Sequence, residues 1–242
     1  MANPLLEKFL KGKRMSSLSN TVQKRLDNWM TSDAFDEKTR SELRELVDTD
    51  NHKEISNRFY REMEFGTGGL RGVVGAGTAY MNVYNIRKAT TAFCTYIKKH
   101  FVDQKELKIA ISYDSRNFSY EFACAAAEVC AHHDVKAYIT KELRPVPMLS
   151  YMVRRYDCQG GFCVTASHNP PEYNGFKVYW NYGGQIVPPH DKEIIAIYNS
   201  LTDYAELGFT PLEKAVAANK ICLLYTSPSP RDRTRSRMPS SA

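Results

Sequence analysis

A chain of 242 residues with 43% hydrophobic and 25% charged residues has an ordinary globular composition and enough length to bury one or two cores. No run approaches the ~18 apolar residues of a membrane span, and the start "MANPLLEKFLKGKRM" is broken by Glu7 and Lys8 with no cleavage site, so neither a membrane partner nor a signal peptide is expected. The net charge of +6 hints at nucleic acid, but residues 222–242 supply +3 of it; the rest is unremarkable, and no nucleic-acid partner is expected.

Residues 1–64 read as a helical extension. "DEKTRSELRELV" (36–47) has an acidic start and places Leu43, Leu46 and Val47 on one side. Asn51-x-x-Glu54 resembles a capping box, and Ile55, Phe59 and Met63 recur every four residues. From residue 65 the pattern changes. The glycine-rich "FGTGGLRGVVGAG" reads as a loop and 83–101 as a helix; "KIAISY" (108–113) is a short buried strand. "SYEFACAAAEVCAHH" (119–133) is an alanine-rich helix for which Ser119 is the expected cap. Then come strand 135–140, helix 148–156 behind Pro145 and Pro147, strands 161–166 and 176–180, and helix 191–201 with Asp191 near its start. Strands alternating with helices predict an α/β domain over 65–205, its sheet mixed and mostly parallel, layered with helices. Ligands of such sheets gather at the carboxyl ends of strands. Loops 65–72, 114–118 and 166–175 are predicted to meet there.

The six cysteines, at 94, 124, 130, 158, 163 and 222, form no C-x-x-C pair and read as reduced thiols of a cytoplasmic protein. Residues 206–221 are expected to open a second domain. The stretch "CLLYTSPSPRDRTRSRMPSSA" (222–242) carries no hydrophobic period after Tyr225 and is expected to be disordered. Its Arg-Ser character admits an RNA-binding reading. Its wording also resembles translated adaptor sequence, and that non-native origin is the favoured reading.

Chemistry concentrates in "GGFCVTASHNPPEYNGFKVYW" (160–180). Ser167 lies in T-A-S-H-N, not in the G-x-S-x-G elbow of a serine hydrolase. His168 follows it directly, and consecutive side chains of extended backbone diverge, so a sharp turn is needed for the two to meet. Gly66, Gly68, Gly69 and Gly72 leave backbone N–H groups free to face an anion, and Arg71 adds a fork of donors suited to phosphate. No G-K-[ST] follows, and Arg71 stands where a dinucleotide fingerprint needs its third glycine. Four glycines alone mark a tight turn more often than a ligand site; with Asn169 and Lys177 at the same sheet mouth, a phosphate site and a tight turn both stand as readings. Pro170 and Pro171 stiffen the turn, and Asn174-Gly175 reads as the tight return into the next strand.

"TASHNPPEYNGFKVYW", preceded by "FGTGGLRG" and "YDSRNFS", resembles the phosphohexomutase superfamily over residues 20–220, in particular its phosphoglucomutase and phosphopentomutase branch. The resemblance implies that 65–205 is the first of four domains. It further implies that Ser167 is carried as a phosphoserine, interconverting glucose 1-phosphate and glucose 6-phosphate through glucose 1,6-bisphosphate. Phosphopentomutase and phosphomannomutase are the alternatives. Mg²⁺ bridging the serine phosphate is implied as cofactor, with a phosphorylated sugar as the partner. Ser167, Lys177, His168 and Arg71 become the catalytic candidates, Arg71 electrostatic and His168 either a proton carrier or a loop brace. Gly68, Gly69 and Asn169 join them in holding phosphate, and Asp114 and Arg116 are expected to pair beside the serine loop. The family's D-G-D-x-D metal loop does not occur in these 242 residues, so the chain is expected to be an incomplete mutase with negligible turnover alone. Neither the sugar nor the oligomeric state has a signal in the sequence.

Overall fold

The computed structural model describes residues 18–225. Three helices come first: α1 (Asn20–Thr31), α2 (Glu37–Asp48) and α3 (His52–Phe59). Each begins on a side-chain cap, with Ser19, Asp36 and Asn51 accepting from Val22, Thr39 and Glu54 N–H groups respectively. Their apolar faces converge on Leu26, Trp29, Phe35, Leu43, Ile55 and Phe59, in a cluster that also takes in Ala76 and Tyr84 from the following segment. Residues 1–17 lie outside the described residues, as do 226–242, which hold most of the stretch expected to be foreign.

The remaining elements are β1 (Gly69–Val73), α4 (Val83–His100), β2 (Leu107–Tyr113), α5 (Ser119–His132), β3 (Val135–Thr140), α6 (Val146–Arg155), β4 (Gly160–Val164), β5 (Tyr173–Trp180), α7 (His190–Ser200), a 3₁₀ turn at Tyr204–Glu206, α8 (Leu212–Ala217) and β6 (Ile221–Leu224). Six strands form one sheet in the order β1-β5-β4-β2-β3-β6. The β4–β2, β2–β3 and β3–β6 ladders are parallel, and β1–β5 and β5–β4 are antiparallel. The sheet is thus mixed and mostly parallel, as predicted. Alternation along the strands sorts two cores. Ile109, Ile111, Phe162, Val164, Phe176 and Val178 face α4, α5 and α7, whereas Ala110, Cys163 and Tyr179 face Leu149, Met152 and Val153 of α6. Helices therefore cover both faces.

Several expectations are corrected. Ser119 does not cap α5: the cap position is Phe118, at φ 64°, and the Ser119 hydroxyl turns inward to Asp114. Residues 69–72 are strand rather than free loop, because Gly69 and Gly72 let β1 lie close to β5 and to Met63. Asn174-Gly175 lies within β5 and makes no turn; Gly175 sits where a Cβ would meet the Thr165 carbonyl at 2.5 Å. Residues 206–221 pack against the same sheet and core. Strand β6 runs parallel to β3, and Ile221 and Ala215 enter the main core. Cys222–Leu224, assigned to the tail, complete that strand, because three apolar residues can pair with β3 where the Ser-Pro-Arg stretch beyond them cannot.

Candidate functional site

Strand β4 is followed by the buried pair Thr165–Ala166, and the chain then turns sharply. Ser167 sits at φ 58°, in the left-handed region that a non-glycine residue adopts only when its surroundings hold it there. Those surroundings are local bonds. The Ser167 N–H donates to Thr165 Oγ1 at 3.0 Å, Asn169 N–H to Ala166 O at 3.2 Å, and Tyr173 N–H to Pro170 O at 3.0 Å. The turn leaves Ser167 and His168 both exposed and swings them to one side, so Ser167 Oγ lies 3.3 Å from His168 Nδ1. The sharp turn needed for these neighbours to meet is present. A separation of 3.3 Å is a long contact for a hydroxyl and its base before substrate draws them together.

Arg116 secures this loop from below. Its guanidinium donates to four main-chain oxygens: Ser167 at 2.7 Å, Asn169 at 2.5 Å, Pro170 at 2.9 Å and Tyr173 at 3.0 Å. A planar fork of donors suits this task in a way a lysine ammonium does not. Asp114 and Arg116 meet as an ion pair only loosely, with Nε 3.8 Å from Oδ2. The closer bonds of Asp114 are at Oδ1, which accepts from the Arg116 backbone N–H at 3.0 Å and from Ser119 Oγ at 2.8 Å. The two loops enclose an open cleft of about 360 Å³, lined by Asp114, Arg116, Asn117, Ser167, Asn169 and Pro171.

The other candidates come from the antiparallel side of the sheet. Arg71 on β1 is exposed and donates to Asn169 Oδ1 at 3.1 Å, which joins the glycine-rich segment to the serine loop. Lys177 on β5 is half-buried and stands opposite Gly69 on one side and Cys163 on the other, while Arg71 stands opposite Gly175. Directly paired residues of antiparallel strands share a face, so Arg71 and Lys177 lie on the same face, with glycines opposite both across the β1–β5 ladder and Cys163 beside Lys177 on β4. Two cations on one face of the sheet are suited to an anion. Burial pushes the Cys163 thiol up, and the Lys177 charge pulls it the other way.

The glycines have a more structural explanation than the sequence suggested. Gly69 N–H donates to Gly66 O at 3.0 Å, so it is held within a turn, and the Gly68 carbonyl accepts from Val178 N–H at 3.1 Å. At φ 118°, a Cβ on Gly69 would lie 1.9 Å from the Phe176 carbonyl oxygen. Close approach of two strands accounts for this glycine. Sequence reasoning missed Thr165, Ser119 and Asn174. The first two stand inside the quoted motif stretches; Asn174 was misread because Asn-Gly between apolar runs is also the strongest hairpin signal.

A Mg²⁺ ion would need acidic side chains around the serine loop, and the described residues do not supply them. They contain no group of three or more His, Cys, Asp or Glu side chains placed to hold a metal, and the one carboxylate in the cleft is bonded to Ser119 and Arg116. Mg²⁺ needs about six oxygen donors, and the cleft lining offers Asp114 as its one carboxylate beside the cation Arg116. This set fits a phosphate and does not by itself fit the metal.

The fold is a sheet layered on both faces by helices, with its polar site at the carboxyl end of β4 and β2. The family model described as phosphoglucomutase/phosphomannomutase, alpha/beta/alpha domain I, matches residues 62–205, and the chain belongs to that family. Among curated relatives, the phosphopentomutase of Homo sapiens is 38% identical over 162 residues, covering 64% of this chain and 26% of that protein. The glucose 1,6-bisphosphate synthase of Homo sapiens is 36% identical over 164 residues, covering 65% of this chain and 26% of that protein. The open form of the exocytosis-sensitive phosphoprotein parafusin, a Paramecium phosphoglucomutase, shares the fold with a TM-score of 0.50 at 18% identity, over 73% of this chain and 35% of that one. The chain spans about a quarter of the length of the curated relatives it matches. No helix among the described residues is long and apolar enough to cross a membrane.

Proposed function

We propose that this chain carries the phosphoserine module of a sugar-phosphate mutase, with Ser167 as the residue that gives up and recovers the phosphoryl group. The observation that carries the reading is the turn at Ser167. It raises one exposed hydroxyl beyond the end of β4, 3.3 Å from His168, in a loop that Arg71 reaches through Asn169, while Lys177 lies on the same face of the sheet as Arg71. Splitting the isomerisation into two transfers avoids one long intramolecular jump. In the first, the bond from phosphorus to Ser167 Oγ breaks as one forms to a free sugar hydroxyl. The proton of that hydroxyl passes to a base, and a sugar bisphosphate results. After the bisphosphate turns over, its other phosphate returns to Ser167 with the proton flow reversed. Arg71 and Lys177 offset the charge on the transferring oxygens, and His168 and Lys177 are the two candidates for the proton.

The lead reading is glucose 1-phosphate to glucose 6-phosphate through glucose 1,6-bisphosphate, in the cytoplasm. Likeness to a phosphopentomutase favours a pentose 1-phosphate as the second reading. Because the described residues fit phosphate but not Mg²⁺, no step is assigned to the metal. On its own, this chain is expected to turn over negligibly, which a coupled assay with either sugar 1-phosphate measures. The RNA-associated alternative draws on the Arg-Ser stretch, which lies outside the described residues.

The test is a mass spectrum of the protein purified from its native source without phosphatase. Ser167 is expected to carry the mass of one phosphoryl group and to exchange it with a radiolabelled sugar bisphosphate. Ser167→Ala is expected to abolish both. Equal labelling of that variant, or a Ser167 never found modified, removes the assignment.

A further inference from the structure

Beneath the cleft lies a chain of buried polar groups that phosphoryl transfer does not use. Asn174 is completely buried within β5, where an amide with unmet hydrogen bonds is costly. Its bonds are met. Nδ2 donates to Asn117 O at 3.0 Å and to Ser119 Oγ at 3.0 Å, and Oδ1 accepts from Gly175 N–H at 2.7 Å. Ser119, also buried, hands the link on by donating to Asp114 Oδ1 at 2.8 Å, the atom that accepts the Arg116 N–H. Arg116 in turn holds the carbonyls of Ser167, Asn169, Pro170 and Tyr173. A continuous hydrogen-bonded path therefore joins the serine loop to the strand that carries Lys177.

We infer that Asn174 is a positioning residue: through Ser119, Asp114 and Arg116 it holds the Ser167 loop in fixed relation to Lys177, so that hydroxyl and cation face the same phosphate. The purpose rests on the phosphoserine reading; the linkage itself does not. The chemistry selects an uncharged donor. The Ser119 hydroxyl gives its proton to Asp114, so its remaining partner must donate, and an amide at 174 donates to both Ser119 and the Asn117 carbonyl. An ionised carboxylate there would donate nothing and would face Asp114 across a single hydroxyl, with Arg116 the nearest cation on that path.

The experiment is amide hydrogen exchange on the full chain, in Asn174→Asp and in the milder Ser119→Ala. At pH near 8, the Ser167 and Asn169 amides are expected to lose about tenfold of their protection in both variants, while Ile109 and Ile111 in β2 change less than about twofold. In Asn174→Asp, the loop is expected to regain protection as the pH falls toward about 5, since a buried carboxyl beside Asp114 has a raised pKa and only its protonated form can donate to Ser119. Ser119→Ala, which adds no titrating group, is expected to show no recovery. Loop amides that exchange as in the wild type in both variants overturn the inference. So does a parallel rise in the loop and in β2, which would mark general loosening. Uptake of phosphoryl label at Ser167 is read in the same samples and is expected to fall in both variants. If the wild-type chain, assayed in its native source protein, never takes label while the loop still loosens as described, the phosphoserine reading fails and the brace stands.

Discussion

Ser167 and Gly69 occupy unusual backbone states for opposite reasons. At Ser167 a φ of 58° projects a side chain that must be there, and the bonds from Thr165, Ala166 and Arg116 offset the conformational cost. At Gly69 a φ of 118° brings the main chain to where a side chain cannot be. Gly69→Ala is accordingly expected to cost about 2 kcal/mol or more, from strained backbone together with the clash against the Phe176 carbonyl. Urea denaturation checks the stability. The same variant should displace Arg71, two residues along β1, and so weaken binding of inorganic phosphate; unchanged stability would refute the close-approach account. Individual chemical candidates were legible in the sequence because serine, histidine, arginine and lysine declare their chemistry by type. Ser119 and Asn174 were not, since their importance lies in which atoms lie opposite them.

At the scale of elements, period and burial were readable, and ends were not. Helix α4 and strands β2 and β3 fall almost where apolar patterning puts them. Strand β1 was hidden by its glycines, and the start of β5 by Asn-Gly, because each signal means a turn locally and a close strand approach in the folded sheet. The C-terminal end of α5 illustrates a similar competition. A helix C-terminus favours a protonated histidine, yet burial, with the His132 and Lys98 charges, lowers His133 to about 4 from 6.5, against a weaker opposing pull from Asp134. A folded-state pKa below the unfolded one means that protons favour unfolding. The stability from neutral His133 is present above pH 6.5 and is lost as the pH falls toward 4. His133→Gln should lessen the acid-side loss of stability across that window, read by urea denaturation, by about 1 kcal/mol or less, given the ring's partial exposure. An identical acid limb in the two proteins would contradict this.

The whole molecule is knitted together by aromatic packing between the leading helices and the domain. Trp29 stacks on Phe35 at 4.2 Å and meets Tyr84 and Tyr204 edge-on, whereas Trp180 stacks on His190 at 4.2 Å in the sheet core. Lys88 of α4 pairs with Glu62 at 3.6 Å and lies over the Tyr198 ring, adding a polar seam to the same junction. The chain's two tryptophans thus report the two parts separately. In Trp180→Phe and in Trp29→Phe, the fluorescence midpoint in urea is expected to coincide with that of far-UV circular dichroism, since a shared core unfolds cooperatively. An earlier transition at Trp29 would show the leading helices to be an independent unit. No sequence pattern announced this junction, which depends on Tyr204 returning to residues far upstream. Within the serine loop, finally, Arg116 grips only peptide carbonyls, and those oxygens are the same whatever amino acid bears them. Side chains at 170 and 173 can therefore drift through evolution, changing what the loop recognises, without unfastening the scaffold that presents it.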